Sequence, residues 1–214
     1  MAAPVFDPDE LSEAVERGDR TAATALTAAA INAEIDAATI LVALMSAMDS
    51  VGERFQYGQI FVPEMLVAAR AMKESMALLE PRLVDAGLRP THTAVIGTIK
   101  GDLHDIGKNL VGMMWRGANF EVVDLGTDVT AERFVAAARE HDADIVGISA
   151  LLTTTMVGMR AAVAAIHAAD GLENVKVVVG GAPVTAEFAT AIGADAFAPD
   201  AGAAVDVARR LVLA

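Results

Sequence analysis

Apolar positions along the chain follow two rhythms that change near residue 90. Up to about Gly87 they recur at helical spacing. Met65, Leu66, Ala69, Met72, Met76 and Leu79 fall mostly three or four residues apart, which gathers them on one face of a helix running from Pro63 to about Glu80. Pro81, which has no amide proton, is expected to end or kink that helix. A long run from about Glu34 to Phe55 predicts another helix, and the Ala/Thr-rich segment before it a further one. Asp7-Pro8 signals the start of a short first helix and Gly18 its end. With no convincing strand pattern in this half, residues 1–88 predict a small bundle of about four helices.

Beyond Arg89-Pro90 short β-branched runs alternate with longer helical ones. Strands are expected at Thr93–Ile99, Glu121–Leu125, Asp144–Ser149, Lys176–Val179 and Ala194–Ala198. Helices are expected at Ile106–Gly117, Ala131–His141, Thr154–Ala169, Thr185–Ile192 and Ala203–Val212. Strands this apolar are covered on both faces, so the pattern predicts an α/β domain over residues 91–214: a doubly wound, flavodoxin-like parallel sheet of five strands. Leu88–Thr91 reads as the linker.

Composition narrows the function. Apolar residues make up 54% of the 214, enough for a real core, yet aromatics only 4%, so Ala, Val, Leu, Ile and Met must build it. The formal net charge of −13 repels phosphate, which disfavours nucleic acid and anionic membrane surfaces as partners. The absence of cysteine excludes a disulfide framework, a thiolate zinc site, an iron–sulfur cluster and a cysteine nucleophile. The first residues show no signal-peptide pattern. The longest apolar stretches, Ala37–Met48 and Ile145–Met159, fall short of the ~20 residues that span a bilayer, so a cytoplasmic protein is expected.

In an open parallel sheet, ligands bind beyond the carboxyl ends of the strands, where the strand order reverses. Four loops therefore hold the candidate chemistry: residues 100–109, 149–155, 180–183 and 199–202. His104, one of four histidines, lies in the first with Asp102 two residues before it. A metal-ligating imidazole usually donates its other N–H to a carboxylate, and this spacing suits that pair. It equally suits a solvated loop in which Asp102 or Asp105 caps the next helix. Gly101 and Gly107 fit a close-approaching flat ligand or ordinary turns. Gly180-Gly181 fits a phosphate cradle or a tight turn. Ser149, Thr153 and Thr155 offer hydroxyls to a polar ligand or to Asp102, or else cap a helix and face solvent. The first loop lacks the Gly-x-Gly-x-x-Gly of a dinucleotide site. Strand three ends in Ser149-Ala150-Leu151, without the aspartate of a phosphoacceptor receiver.

The string Gly101-Asp102-Leu103-His104-Asp105-Ile106-Gly107-Lys108-Asn109-Leu110-Val111, with Ser149-x-x-x-Thr153-x-Thr155 and Gly180-Gly181, resembles the cobalamin-binding domain of corrinoid methyltransferase proteins. Similar modules occur in cobalamin-dependent methionine synthase and as stand-alone corrinoid subunits of methanol, methylamine and aryl methyl ether systems. Val51-Gly52-Glu53-Arg54-Phe55, Gly58 and Phe61-Val62-Pro63-Glu64 resemble the family's helical cap. The resemblance implies that His104 displaces the benzimidazole base of cobalamin and binds cobalt from below, as the metal's lower axial ligand. Asp102 would bond the distal imidazole nitrogen, and Thr155 would extend that relay. Gly101, Asp105, Ile106, Gly107, Ser149, Leu151, Thr153, Gly180, Gly181, Ala182 and Pro199 would line the cofactor site and its nucleotide slot. Phe55 and Val62 would cover the methyl face.

The implied role is methyl carriage in one-carbon metabolism, on methylcobalamin and its Co(I) form. A substrate-specific methyltransferase would load the methyl group, an acceptor methyltransferase would take it off, and a reductive activation protein is a further partner. The chain would not be a complete catalyst alone, and the cap would swing aside for partners. Three other readings fit parts of the pattern: a cobalamin-dependent sensor, the small subunit of an adenosylcobalamin mutase, which shares the Asp-x-His-x-x-Gly loop but not the cap, and a cofactor-free flavodoxin-like partner protein.

Overall fold

A computed structural model describes residues 6–212. The chain forms two compact units, one ending at Pro90 and one beginning at Thr91.

The first unit holds four helices: α1 (Pro8–Glu16), α2 (Arg20–Asn32), α3 (Ala37–Gln56) and α4 (Val62–Asp85). Asp7, Asp19 and Asp36 start the first three, each carboxylate accepting an amide of the first turn. Leu11, Val15, Leu44, Met48, Met65 and Leu79 are fully buried between them. Of the two outcomes expected at Pro81, an end or a kink, the helix does not end there. The helix runs on to Asp85, burying Leu83 below the proline. Pro81 and Ala77, whose carbonyl loses its amide partner, both lie on the exposed face, where water can satisfy that oxygen.

In the second unit the strands β1 (Thr93–Thr98), β2 (Glu121–Asp124), β3 (Ile145–Ser149), β4 (Lys176–Gly180) and β5 (Ala196–Ala198) alternate with α5 (Ile106–Gly117), α6 (Ala131–Glu140), α7 (Met156–His167), α8 (Ala186–Ile192) and α9 (Ala201–Val212). The sheet is wholly parallel, in the order β2-β1-β3-β4-β5. It is doubly wound: α5 and α9 pack together, as do α6 and α7. Gly147 on the central strand leaves room for Trp115 of α5; a β-carbon there would lie 2.7 Å from the indole. The buried indole N–H donates to the Ala204 carbonyl of α9 at 2.9 Å.

Ends differ from the sequence expectation where a local bond intervenes. Helix α7 begins at Met156 rather than Thr154, because Thr155 turns back onto the Leu152 carbonyl. Helix α9 begins at Ala201 rather than Ala203, with the Asp200 carboxylate accepting the Ala203 amide. Among the described residues, no helix is long and apolar enough to cross a membrane.

Candidate functional site

The strand order reverses between β1 and β3, the place in an open parallel sheet where ligands bind beyond the carboxyl ends of the strands. Register sets their level. Thr98 pairs with Ser149, Ser149 with Gly180 and Gly180 with Ala198, so four strands end in one row and release their loops together.

Asp102 is the hub of this edge. Its side chain is fully buried and gathers donors from two loops. Oδ1 accepts the His104 amide at 3.0 Å and faces His104 Nδ1 at 2.8 Å. Oδ2 accepts the Leu151 amide at 2.6 Å and the Leu152 amide at 3.0 Å. Thr155 Oγ1 lies 3.2 Å from Oδ2 and 2.8 Å from the Leu152 carbonyl, so one hydroxyl proton serves two acceptors. Burial alone would raise the Asp102 pKa. The hydrogen bonds from His104, Leu151 and Leu152 outweigh it and hold the carboxyl well below the usual carboxylate range.

An ionised Asp102 has no proton to give, so His104 donates from Nδ1. That leaves the Nε2 lone pair at the outer end of a ring whose side chain is 53% exposed. Thr98 Oγ1 donates to the His104 carbonyl at 3.0 Å and holds the loop's far side. The other three histidines stand elsewhere: His92 before β1, His141 after α6 and His167 at the end of α7. Among the described residues no group of three or more histidine, aspartate or glutamate side chains is placed to hold a metal ion, so a metal at His104 fits best if it brings its other donors with it, as a corrin does.

The surroundings suit a flat, largely apolar ligand. Leu103, Ile106 and Val157 are more than 70% exposed beside the imidazole loop and at the start of α7. Leu151 and Leu152 are also open. Gly181 has φ +124°, and a β-carbon there would lie 1.9 Å from the Ala150 carbonyl oxygen, so the β3 and β4 loops touch backbone to backbone.

The structure brings together Gly101, Asp102, His104, Asp105, Ile106, Gly107, Ser149, Leu151, Thr153, Thr155, Gly180, Gly181, Ala182 and Pro199 at one edge of the sheet. Asp105 opens α5, but its carboxylate accepts the Asn109 side-chain amide rather than a first-turn N–H, and Asp102 caps no helix. Of the three hydroxyl residues only Thr155 reaches Asp102. Phe55 and Val62 lie in the helical unit, half-buried at either end of the α3–α4 turn, with Tyr57 and Phe61 exposed between them. Sequence reasoning did not single out the Leu152 amide, Asp128, Lys108, Leu103 or Val157. Only Lys108 carried a local signal: a lysine in the first turn of a helix, at the positive end of its dipole.

A family model described as a B12 binding domain matches residues 92–208, and a second of the same description matches residues 8–80. A corrinoid protein of Desulfitobacterium hafniense is 38% identical over 208 residues, 95% of this chain and 96% of the relative. This chain belongs to the corrinoid protein family. This chain is also 40% identical over 206 residues, 95% of it and 95% of the relative, to a dimethylamine corrinoid protein of Methanosarcina mazei. Among solved structures it resembles a chain of the methanol:cobalamin methyltransferase complex of Methanosarcina barkeri. The TM-score is 0.82 at 29% identity, covering 95% of this chain and 78% of that one.

Proposed function

We propose that this chain carries a methyl group on a corrinoid between a substrate-specific methyltransferase and an acceptor methyltransferase. The observation that carries this reading is the Asp102–His104 pair: one imidazole nitrogen is held by a buried carboxylate and the other is presented, unpaired, at the carboxyl edge of the sheet. Similarity over nearly the whole chain to a dimethylamine corrinoid protein, and to a chain of a methanol methyltransferase complex, supports the methyl-transfer setting. The formal net charge of −13 suits a carrier that works with protein partners rather than nucleic acid, and we place it in the cytoplasm.

When bound, the corrinoid supplies a cobalt centre able to accept and release a methyl group. The chain's own residues bind, orient and shield. His104 would offer Nε2 to the cobalt; Asp102 fixes its tautomer and direction; Thr155 supports Asp102 from the β3 loop. Leu103, Ile106, Leu151 and Val157 give the ring an apolar bed. Gly181 and Gly180, with Ser149, Thr153, Ala182 and Pro199, border the slot for the nucleotide tail.

The test is reconstitution with hydroxocobalamin, desalting and an ultraviolet–visible spectrum. Wild type retains the corrinoid with an imidazole-ligated spectrum, and His104→Ala gives the spectrum of a corrinoid without that ligand. Loss of all corrinoid from wild type on desalting would sink the reading.

A further inference from the structure

Lys108 is the one buried ammonium among the described residues, with a side chain only 2% exposed. It stands in the first turn of α5, where the helix dipole opposes a cation. Burying a charge there is costly, and an apolar side chain of the same length would fill the space. The chain nevertheless meets all three of its protons: Nζ donates to both Asp124 oxygens, at 2.6 and 2.5 Å, and to Asn109 Oδ1 at 2.6 Å.

The partners explain the arrangement. Asp124 ends β2, and its Oδ1 also accepts the Gly126 amide at 2.9 Å, so it shapes the turn into α6. That turn grips the loop of His104 by its backbone. Asp128 Oδ1 accepts the Gly101 amide at 2.7 Å, and the Asp128 amide donates to the Asp102 carbonyl at 3.1 Å. On the other side, the Asn109 side-chain amide donates to Asp105 at 3.0 Å. Residues 101–105 are thus held at both ends, and both holds meet at Lys108 Nζ.

We propose that Lys108 is a positioning residue for His104: it ties α5 to the β2–α6 turn and to Asn109, closing a ring of hydrogen bonds that aims the imidazole before any ligand arrives. This rests on the reading of His104 as a metal ligand. Lys108 touches neither His104 nor the space in front of it; it acts on the loop's frame. A charge pair suits this task because the bidentate bond fixes distance and direction, which a methionine in the same space would leave soft.

The test compares wild type, Lys108→Met, Asp124→Asn and His104→Ala. Each is checked for folding by circular dichroism and loaded with cob(II)alamin. The nitrogen splitting in the electron paramagnetic resonance spectrum reads the fraction of cobalt bound by imidazole. In the unloaded proteins, nitrogen-15 spectra read exchange of the His104 Nδ1 proton. Lys108→Met is expected to fold, to lower the imidazole-bound to unbound ratio about threefold, less than the ~10-fold loss common when a ligand's own partner is removed, and to speed that exchange. Asp124→Asn, which leaves one carbonyl oxygen to be shared by Lys108 Nζ and the Gly126 amide, gives the same changes and carries the test if Lys108→Met does not fold. A folded Lys108→Met or Asp124→Asn with the wild-type ratio and wild-type exchange overturns the proposal. A wild type whose spectrum equals that of His104→Ala overturns the ligand reading instead, and the positioning role with it.

Discussion

Each end of the sheet has a histidine bonded to an aspartate, and the two pairs do different work. At the amino edge, His167 Nε2 meets Asp195 Oδ2 at 2.9 Å, and the same oxygen accepts the Val177 amide. Asp195 is 22% exposed, with Lys176 Nζ 3.7 Å away, so its charge is shared with water and a flexible cation. The pair fastens the last turn of α7 to the strands beside it, at the helix end whose dipole suits an imidazole. At the carboxyl edge, Asp102 is fully buried, is served by two loops, and holds the inner nitrogen of a ring whose outer nitrogen faces solvent. A hydrogen-bonded pair is common. A carboxylate saturated by backbone amides behind an exposed imidazole is what the proposed ligand role requires.

The comparison can be broken first at the backbone. Gly181→Val forces a side chain into the Ala150 carbonyl at a φ that valine disfavours, and it is expected to cost roughly 3–5 kcal/mol and abolish corrinoid retention. Urea unfolding with and without hydroxocobalamin measures both, and wild-type values would mean that the two loops do not need to touch. Asp102→Asn comes next. An amide cannot accept all the donors that converge there, so stability falls by about 2–4 kcal/mol and the imidazole loses its fixed tautomer. Nitrogen-15 spectra of the ring should then show a mixture of tautomers.

Acid sharpens the contrast. Asp124, like Asp102, has its pKa depressed by folding: burial would raise it, but the Lys108 ammonium and the Gly126 amide hold it low. A carboxyl depressed by folding contributes stability that is full above its unfolded pKa and is lost as pH falls through the folded one. Stability of the wild type should therefore decline as pH drops below about 4, and Asp124→Asn should flatten that decline in urea titrations taken at successive pH values. His167→Ala is the mildest change. A half-exposed pair is worth about 0.5–1 kcal/mol, and corrinoid retention and spectrum should match wild type. A changed spectrum in that variant would erase the distinction between the two edges.

Much of this was legible in the residues. The alternation of apolar runs located all five strands, most closely the inner β1, β3 and β4, which are buried on both faces and carry the pattern in full. The Asp-x-His spacing pointed to the right loop. Helix α4 was read only to about Glu80, with Pro81 expected to end or kink it; the proline's exposed position lets the helix continue to Asp85. Strand β5 was read too long: the Ala194 and Asp195 amides bond to Ala189 and Val177, and regular pairing starts at Ala196. Lys108 was legible only as an oddity, since its meaning depends on Asp124, sixteen residues away.

By itself, the sequence determined what is periodic or local: which segments are helices, which are strands, and which loop bears the histidine. Periodicity is written in neighbouring positions, and burial acts on each directly. Only the tertiary structure decided what that histidine can do. The amides of Leu151 and Leu152 and the grip of Asp128 reach residues 101–105 from two other segments, and a hydrogen bond between distant segments leaves no spacing in the chain to be read.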